Sequence, residues 1–470
     1  MDGFNRTPCL ENTRRNIIKD IMKWIADDSN EAKKVWWVYG LAGTGKSTLS
    51  TTIANIMRGV HQLGAFFFFN RDKPQRNFAT LIRTLAYQLA TFDARFCAAI
   101  TQVVATNENI AEMPLEFQFE NLLSANALKS VEWSGGPIVL IIDALDECGS
   151  ERDRKILMQV LSKGFSSLPS FIRIMVVSRQ EQDIQRVLGS HSYLRPYPLE
   201  IGSLTNRDDV SEFIRHRLED IRTNNGRLGE HWPGDDKIRS LANRAGGLFI
   251  WASTACLYIE SYLPNRRLSE LLEKQPEGNS SGPFADLDRL YETGLKSAGL
   301  WDDALFRSNF VNILGMILCA RAPLPCSVID ALLDLPQDML SWELVSRLGC
   351  VLQLNETEPI RTLHPSFHDY QSERCRSHHW SIDLENHNKE LAIRCIKLLD
   401  KELRENMCDM TLPYLSQKST LPEAISYACK FDRTHLSCFG RYGRHCKPNI
   451  RFLGYASAAL DGGIGDIEMP

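Results

Sequence analysis

Hydrophobic residues follow two different patterns along the chain, and the change between them indicates its organisation. Up to residue 204, short and almost fully apolar runs alternate with segments in which apolar residues recur at helical spacing. Fully apolar strands that alternate with helices are typical of a parallel sheet covered by helices on both faces. The pattern therefore predicts an α/β domain. Its predicted strands are 35–39, 65–69, 137–143, 171–178 and 196–201.

After residue 204 the pattern becomes helical. The stretch 274–282 is polar and contains Gly, which predicts a linker. Beyond it, helical segments precede two short apolar strands at 350–354 and 360–363, and helices followed by such a hairpin indicate a winged-helix domain. The predicted domains are a leading amphipathic helix at 1–34, the α/β domain at 35–204, a helical domain with its linker at 205–282, a winged-helix domain at 283–380, a helical segment at 381–436 and a poorly ordered tail at 437–470.

Composition narrows the choice of partners. The 470 residues include 54 Lys and Arg against 58 Asp and Glu, for a formal net charge of -4. This balance supplies no basic field for nucleic acid. No stretch is apolar and long enough to span a bilayer, and the start lacks the apolar core of a signal peptide. The 13 cysteines form no CxxC pair, which argues against a disulfide framework and a structural zinc site. We therefore expect a cytoplasmic protein that binds neither nucleic acid nor membrane.

Segment 40–47 carries the most specific motif. Its sequence, GLAGTGKS, fits G-x-x-x-x-G-K-[ST] and lies between a predicted strand and a helical pattern, as a phosphate-binding P-loop requires. Glycines let such a loop bring its backbone N–H groups close to phosphates. Lys46 would reach the outer phosphates, and the Ser47 hydroxyl would hold Mg²⁺. The predicted nucleotide-binding residues here are Gly40, Gly43, Thr44, Gly45, Lys46, Ser47 and Thr48.

Acidic residues follow the predicted strand 137–143. Asp143 lies at its end, where an open α/β sheet binds its ligand, and is predicted to hold Mg²⁺ directly or through water. Asp146 or Glu147, just past the strand, could orient or deprotonate an attacking water. The alternative is that both are solvated acids that cap the next helix. In the first case the chain would hydrolyse a nucleoside triphosphate.

Arg179 closes the next predicted strand, so its guanidinium would emerge at the same edge as the P-loop and could contact the terminal phosphate. An ordinary surface arginine is the alternative. Arg71 is a weaker candidate for the same place, and there the surface role is favoured. The chain has no N-K-x-D string, the guanine-reading element of small GTPases. We therefore expect ATP and ADP, with Mg²⁺, as the ligands.

Together these segments resemble a STAND-class P-loop NTPase of the NACHT type, a group that is abundant in fungal NLR-like proteins and related to nephrocystin-type P-loop regions. This resemblance implies an ATP-dependent switch in a signalling or innate-immunity-like protein. ADP would hold a closed form, and exchange for ATP would open it for self-association and for an unknown protein partner. The resemblance rests on Thr13-Arg14, the P-loop, segments 66–71 and 143–148, Ser178-Arg179, and segments 246–252 and 363–370.

The resemblance also gives His364 a role. In the family, a winged-helix histidine in a His-x-Ser-Phe setting contacts ADP and stabilises the closed form, and His364-Pro365-Ser366-Phe367 is similar to it. A buried structural histidine is the alternative. Two features depart from the family. The chain shows no effector region before the P-loop and no repeat array after the winged helix, and 246–249 reads GGLF where some members place Gly-Leu-Pro against adenine.

The leading hypothesis is a slow, regulated ATPase switch. One alternative is a nucleotide-binding scaffold, or a truncated family member, without turnover. The other is a P-loop phosphotransferase that acts on a small molecule, although the sequence shows no acceptor pocket or lid.

Overall fold

The computed structural model consists of two compact units, Met1–Leu287 and Asp288–Pro470. The predicted linker at 274–282 and the predicted tail at 437–470 lie outside the described residues. The structure describes residues 6–29, 32–70, 75–189, 191–273, 284–336, 341–355, 358–375, 378–402 and 422–436.

A five-stranded parallel sheet with the order β2-β3-β4-β1-β5 forms the centre of the first unit. Its inner strands are almost completely buried, as their apolar sequences require. Because the strands run in one direction, their carboxyl ends meet at one edge of the sheet. The predicted parallel α/β architecture is therefore confirmed. The strands are β1 Val35–Tyr39, β2 Leu63–Phe68, β3 Ile138–Asp143, β4 Ile172–Ser178 and β5 Leu194–Pro198.

The side chains of successive residues of β1 point to opposite faces of this sheet. Trp37 belongs to one buried cluster, with Leu85 and Leu161, and Trp36 belongs to another, with Ile53. This division follows from the two-residue period of a strand. Helices α1 and α2 cover the Trp36 face, and α3 to α7 cover the Trp37 face. The helices are α1 Arg15–Ile25, α2 Lys46–Gly59, α3 Leu81–Phe92, α4 Ala94–Thr106, α5 Leu115–Leu122, α6 Glu151–Gly164 and α7 Gln182–Leu188.

Four further helices of the first unit lie among its described residues. Asn206, in the first turn of the first of them, donates from its amide to the carbonyls of Ile201 (3.0 Å) and Gly247 (2.8 Å). These bonds tie the loop after β5 to the loop before α10, and so fix where α10 begins. The helices are α8 Leu204–Asn224, α9 Asp235–Ala245, α10 Phe249–Ser261 and α11 Pro264–Glu273.

The second unit is mainly helical and carries an antiparallel strand pair, β6 with β7. No helix among the described residues is both apolar and long enough to cross a membrane. The elements are α12 Ala285–Ala298, which begins at the end of the first unit, α13 Ala304–Cys319, α14 Cys326–Leu333, α15 Ser341–Val345, β6 Leu352–Asn355, β7 Glu358–Thr362, α16 Pro365–Asp369, a π-helix at Tyr370–Arg374, α17 Leu384–Glu402 and α18 Glu423–Leu436.

The bounds of the last predicted strand, 196–201, are wrong. Strand β5 begins two residues earlier, because Leu194 is buried beside Val35 at the start of the pairing. Pro196 lies inside the strand rather than at its start. This is tolerated because β5 is at the edge of the sheet, where a missing N–H on the outer side costs no hydrogen bond.

Candidate functional site

The P-loop joins the end of β1 to the start of α2 at the carboxyl edge of the sheet. Gly43 and Gly45 have φ angles of 77° and 82°. Side chains of L residues rarely tolerate this left-handed region. At Gly43 a Cβ would also lie 2.0 Å from Ile250 Cγ2. Both glycines are therefore required by the turn that the loop makes.

Two threonines and the first glycine stabilise the shape of the loop. Thr44 Oγ1 donates to the carbonyl of Leu41 (3.0 Å), and Thr48 Oγ1 donates to that of Gly45 (2.7 Å). A Cβ on Gly40 would lie 3.0 Å from the carbonyl oxygen of Leu199, closer than most side chains allow. These contacts hold the predicted loop residues in one conformation.

Lys46 begins α2 and folds back over the loop. Its ammonium donates to the carbonyls of Gly40 (2.9 Å) and Leu41 (2.7 Å). Burial lowers the pKa of Lys46 to about 8, and the attraction of Asp146 only partly offsets it. No carboxylate of the described residues lies within salt-bridge distance of this ammonium. A bound phosphate would supply the missing negative charge.

Asp143 ends β3, and its side chain is fully buried. Its Oδ1 accepts hydrogen bonds from the Ser47 hydroxyl (3.3 Å) and from the Ala144 N–H (2.9 Å). Mg²⁺ prefers oxygen ligands of these two kinds, a carboxylate and a hydroxyl. The strand end and the helix start thus bring together the two residues predicted to hold Mg²⁺, and their donor set fits that ion.

Arg6 also contacts Asp143. Its Nη1 lies 2.5 Å from Asp143 Oδ2, and its guanidinium lies over the Phe68 ring, 4.1 Å from the ring centroid. Sequence reasoning missed Arg6. No local pattern marks it, because its partner lies 137 residues further along the chain.

Asp146 and Arg179 pair with each other. Asp146 Oδ1 accepts the backbone N–H of Arg179 (2.8 Å), and Oδ2 lies 3.2 Å from Arg179 Nε. Asp146 is 5% exposed, whereas Glu147 is half-buried. A reciprocal box of Ser150 and Asp153 caps the next helix, α6, so neither Asp146 nor Glu147 does so. Glu147 is therefore the acid of this segment that water can reach more easily.

Two contacts from outside the motif hold the P-loop backbone. Arg14, next to the start of α1, donates from Nη2 to the carbonyl of Thr44 (2.6 Å) and stacks on the Phe249 ring at 4.9 Å. The Ile250 N–H donates to the carbonyl of Gly43 (3.1 Å). Because Phe249 and Ile250 begin α10, the helical segment touches the phosphate loop directly. In the sequence, only the family resemblance pointed to Arg14, Phe249 and Ile250. Their contact with the loop depends on tertiary structure, so no local pattern predicts it.

His364 lies in the second unit and caps α16. Its Nδ1 accepts the Ser366 N–H (3.1 Å) and lies 2.7 Å from Ser366 Oγ, which in turn lies 2.8 Å from the hydroxyl of Tyr291. A cap of this kind stabilises the start of a helix. His364 thus has a structural role as a helix cap, although it is half-buried and not buried as the alternative supposed. Contact of His364 with ADP stays a prediction. Arg71 lies outside the described residues.

Part of the chain that contains this site matches a known protein family. Residues 12–179 match the family model described as Nephrocystin 3, N-terminal. The matched segment contains the P-loop, Asp143 and the Asp146–Arg179 pair, and it supports the resemblance to a STAND-class P-loop NTPase. Residues 12–179 are hereafter the nephrocystin-like segment. No curated protein matches the chain.

A solved structure that matches is the crystal structure of a Signal Transduction ATPase with Numerous Domains (STAND) protein with a tetratricopeptide repeat sensor, from Pyrococcus horikoshii. The match has a TM-score of 0.49 and 13% sequence identity, and it covers 97% of this chain and 52% of that chain. The present chain therefore spans about half the length of that protein.

Proposed function

We propose that the chain is the nucleotide-controlled core of a STAND-type switch, which binds ATP or ADP with Mg²⁺ and hydrolyses ATP slowly. One observation carries the proposal. A desolvated ammonium, a hydroxyl and a buried carboxylate, from Lys46, Ser47 and Asp143, come together at the carboxyl edge of the parallel sheet. The family match of residues 12–179 supports the same class.

The P-loop is the proposed phosphate site. Backbone N–H groups of such a loop point at the phosphates, and Lys46 adds a positive charge that no described carboxylate pairs with. On binding, the ammonium exchanges the carbonyls of Gly40 and Leu41 for oxygens of the outer phosphates. Ser47 and Asp143 would hold Mg²⁺, which when bound neutralises the charge that develops on those oxygens.

Glu147 and Arg179 are the proposed catalytic groups. Glu147 orients a water molecule and accepts its proton as the water oxygen attacks the γ-phosphorus, and ADP leaves with the bridging oxygen. Arg179 stabilises the negative charge on the γ-phosphate. Because Asp146 already holds Arg179 through two contacts, little reorganisation is required when the charge develops.

Helix α10 is the proposed route by which the nucleotide state reaches the rest of the first unit. The Ile250 N–H is bonded to the Gly43 carbonyl, and the Ile250 side chain covers the place where a Gly43 side chain would be. A loop that changes conformation with its phosphates must therefore change this contact. In our proposal the ATP-bound state permits self-association and binding of a protein partner in the cytoplasm.

A winged helix in the second unit is part of the proposal. Helices α13 and α14 precede the β6–β7 pair, and Leu324, between these helices, forms an antiparallel bridge with Ile360 of β7. Helices combined with a small antiparallel sheet in this order are typical of winged-helix domains. The proposed link from His364 to ADP rests on the family resemblance.

Mass analysis of the nucleotide that co-purifies with the protein tests the proposal, and we expect roughly stoichiometric ADP. Lys46→Ala should lose it, because the charge that faces the phosphates disappears. Lys33→Ala removes an exposed lysine just before β1 and should retain ADP. Unchanged ATP affinity in Lys46→Ala would contradict the assignment of the phosphate site.

Measurement of phosphate release distinguishes the proposed ATPase switch from a nucleotide-binding scaffold and from a phosphotransferase. Glu147→Gln should keep ATP binding and lose hydrolysis, because an amide cannot accept the proton of water. A wild-type protein that binds ATP but releases no phosphate would indicate a scaffold. ADP release that depends on an added acceptor molecule would indicate a phosphotransferase.

A further inference from the structure

Arg6 is a positively charged residue that lies at the proposed metal site, where it contacts Asp143. Asp143 is fully buried, and both of its oxygens are engaged. Oδ1 faces Ser47 and the Ala144 N–H, whereas Oδ2 faces the Arg6 guanidinium at 2.5 Å. Part of the charge that would attract a divalent cation is therefore already neutralised by the chain itself.

Two features hold Arg6 in this position. Its guanidinium lies over Phe68, which ends β2 and pairs in register with Asp143, and its side chain is only 29% exposed. A shielded ion pair with an aromatic face beside it is stronger than a pair in open solvent. Further along, the Cys9 N–H donates to Thr52 Oγ1 of α2 (2.8 Å). The chain is thus anchored just beyond Arg6, so Arg6 can leave Asp143 without moving α1.

We propose that the Arg6 guanidinium and Mg²⁺ compete for Asp143. Arg6 occupies the carboxylate and keeps the site free of metal until Mg²⁺ and nucleotide displace it. This inference rests on the proposed function, since it takes Asp143 as a metal-holding carboxylate. The physical basis is electrostatic. A guanidinium in contact with a carboxylate cancels its charge, and a guanidinium and a divalent cation repel each other if both stay.

Binding of Mn²⁺, an ion that takes the same oxygen ligands and is visible by electron paramagnetic resonance, tests the competition. The protein is saturated with ADP, and the signal of Mn²⁺ with ADP alone is subtracted. Arg6→Gln should bind Mn²⁺ roughly tenfold more tightly, the size expected when one charge-assisted hydrogen bond is no longer in competition. Arg6→Lys keeps the charge and should stay closer to wild type.

Arg15→Gln is the matched control, because it removes the same charge from an exposed position on α1. It should leave Mn²⁺ affinity unchanged. A second measurement uses trypsin, which cleaves after Arg6. In the wild-type protein, ADP with Mg²⁺ should speed cleavage of the Arg6–Thr7 bond relative to ADP with EDTA, because the released guanidinium becomes accessible.

Ser47→Ala separates this inference from the proposed function. If Ser47→Ala weakens Mn²⁺ binding but Arg6→Gln does not strengthen it, the competition is wrong and the metal site stands. If Ser47→Ala has no effect on Mn²⁺ binding, the proposed metal site is wrong and the competition falls with it. Weaker Mn²⁺ binding in Arg6→Gln would show that Arg6 supports the metal instead of opposing it, and would overturn the inference.

Discussion

Because the pKa of Lys46 is lowered and Lys46 faces the proposed phosphate site, we expect the affinity for ADP to depend on pH. Burial lowers this pKa from 10.5 to about 8, so half of the side chains are neutral in the free protein near pH 8. Only the charged ammonium attracts phosphate. Between pH 7 and pH 9 the charged fraction falls from about 0.9 to about 0.1, which predicts a loss of affinity of about tenfold, or ~1.4 kcal/mol.

Calorimetric titration with ADP, in two buffers of different ionisation enthalpy, measures the protons taken up on binding. Free protein at pH 8.5 has about three quarters of its Lys46 side chains neutral, so binding should take up about 0.8 proton, against about 0.1 at pH 7. The shift also affects folding. At Lys46 the unfolded chain binds more protons between the lowered pKa and 10.5, so the contribution of this one residue to the stability of the free protein should rise with pH through this range.

Lys46→Arg is the sharpest control for this linkage, because a guanidinium keeps its charge throughout the pH range and should show no proton uptake. Lys33→Gln, which removes an exposed neighbouring lysine, should behave like wild type. Absence of proton uptake at pH 8.5 in the wild-type protein would refute the reasoning. Equal uptake in Lys46→Arg would assign it to a different group.

Three further predictions test the site. Gly43→Ala should lower the free energy of unfolding by about 1–2 kcal/mol, because the residue has a left-handed backbone conformation. Displacement of the Ile250 side chain should lower it further. Denaturant unfolding and ADP affinity measure the two effects. Ile250→Ala should recover part of this loss, whereas an equal loss in both backgrounds would contradict the contact. Asp146→Asn should lower single-turnover phosphate release by about tenfold with ADP binding retained, because Arg179 loses its charged partner; unchanged release would count against Arg179. His364→Leu should speed ADP dissociation. His364→Asn keeps a side chain that can cap the helix and should speed ADP dissociation as well. Unchanged dissociation rates would mean that His364 only caps α16.

The parts of the site that could be predicted from sequence are those encoded by short segments. A strand, a glycine-rich loop and a helix in this order already imply the left-handed turns at Gly43 and Gly45, and an apolar run that ends in Asp143 implies a carboxylate at the sheet edge. Contacts between distant segments could not be predicted. Arg6 lies 137 residues before Asp143, and nothing near either residue specifies the other.

The pair formed by Asp146 and Arg179 shows the same limit. Each residue could be placed just past the end of a strand, but the distance between them depends on β3 and β4 being neighbours, which follows from strand order. The bounds of helix α4 could not be predicted from the sequence, for a different reason. It begins directly after α3, with Asp93 between them as its cap, and few of its residues are buried, so its hydrophobic pattern merges with that of α3.

The interior position of β1 in the sheet has a consequence for biosynthesis. Val35 pairs with Ile174 on one side and with Leu194 on the other, so the strand that carries the P-loop leaves the ribosome long before either neighbour. Until then its buried tryptophans have no sheet to join, and such a segment is exposed to aggregation or chaperone binding. The nephrocystin-like segment ends at Arg179, before β5. A fragment cut at that point would leave β1 as an open edge, and a self-contained fragment must extend beyond Pro198.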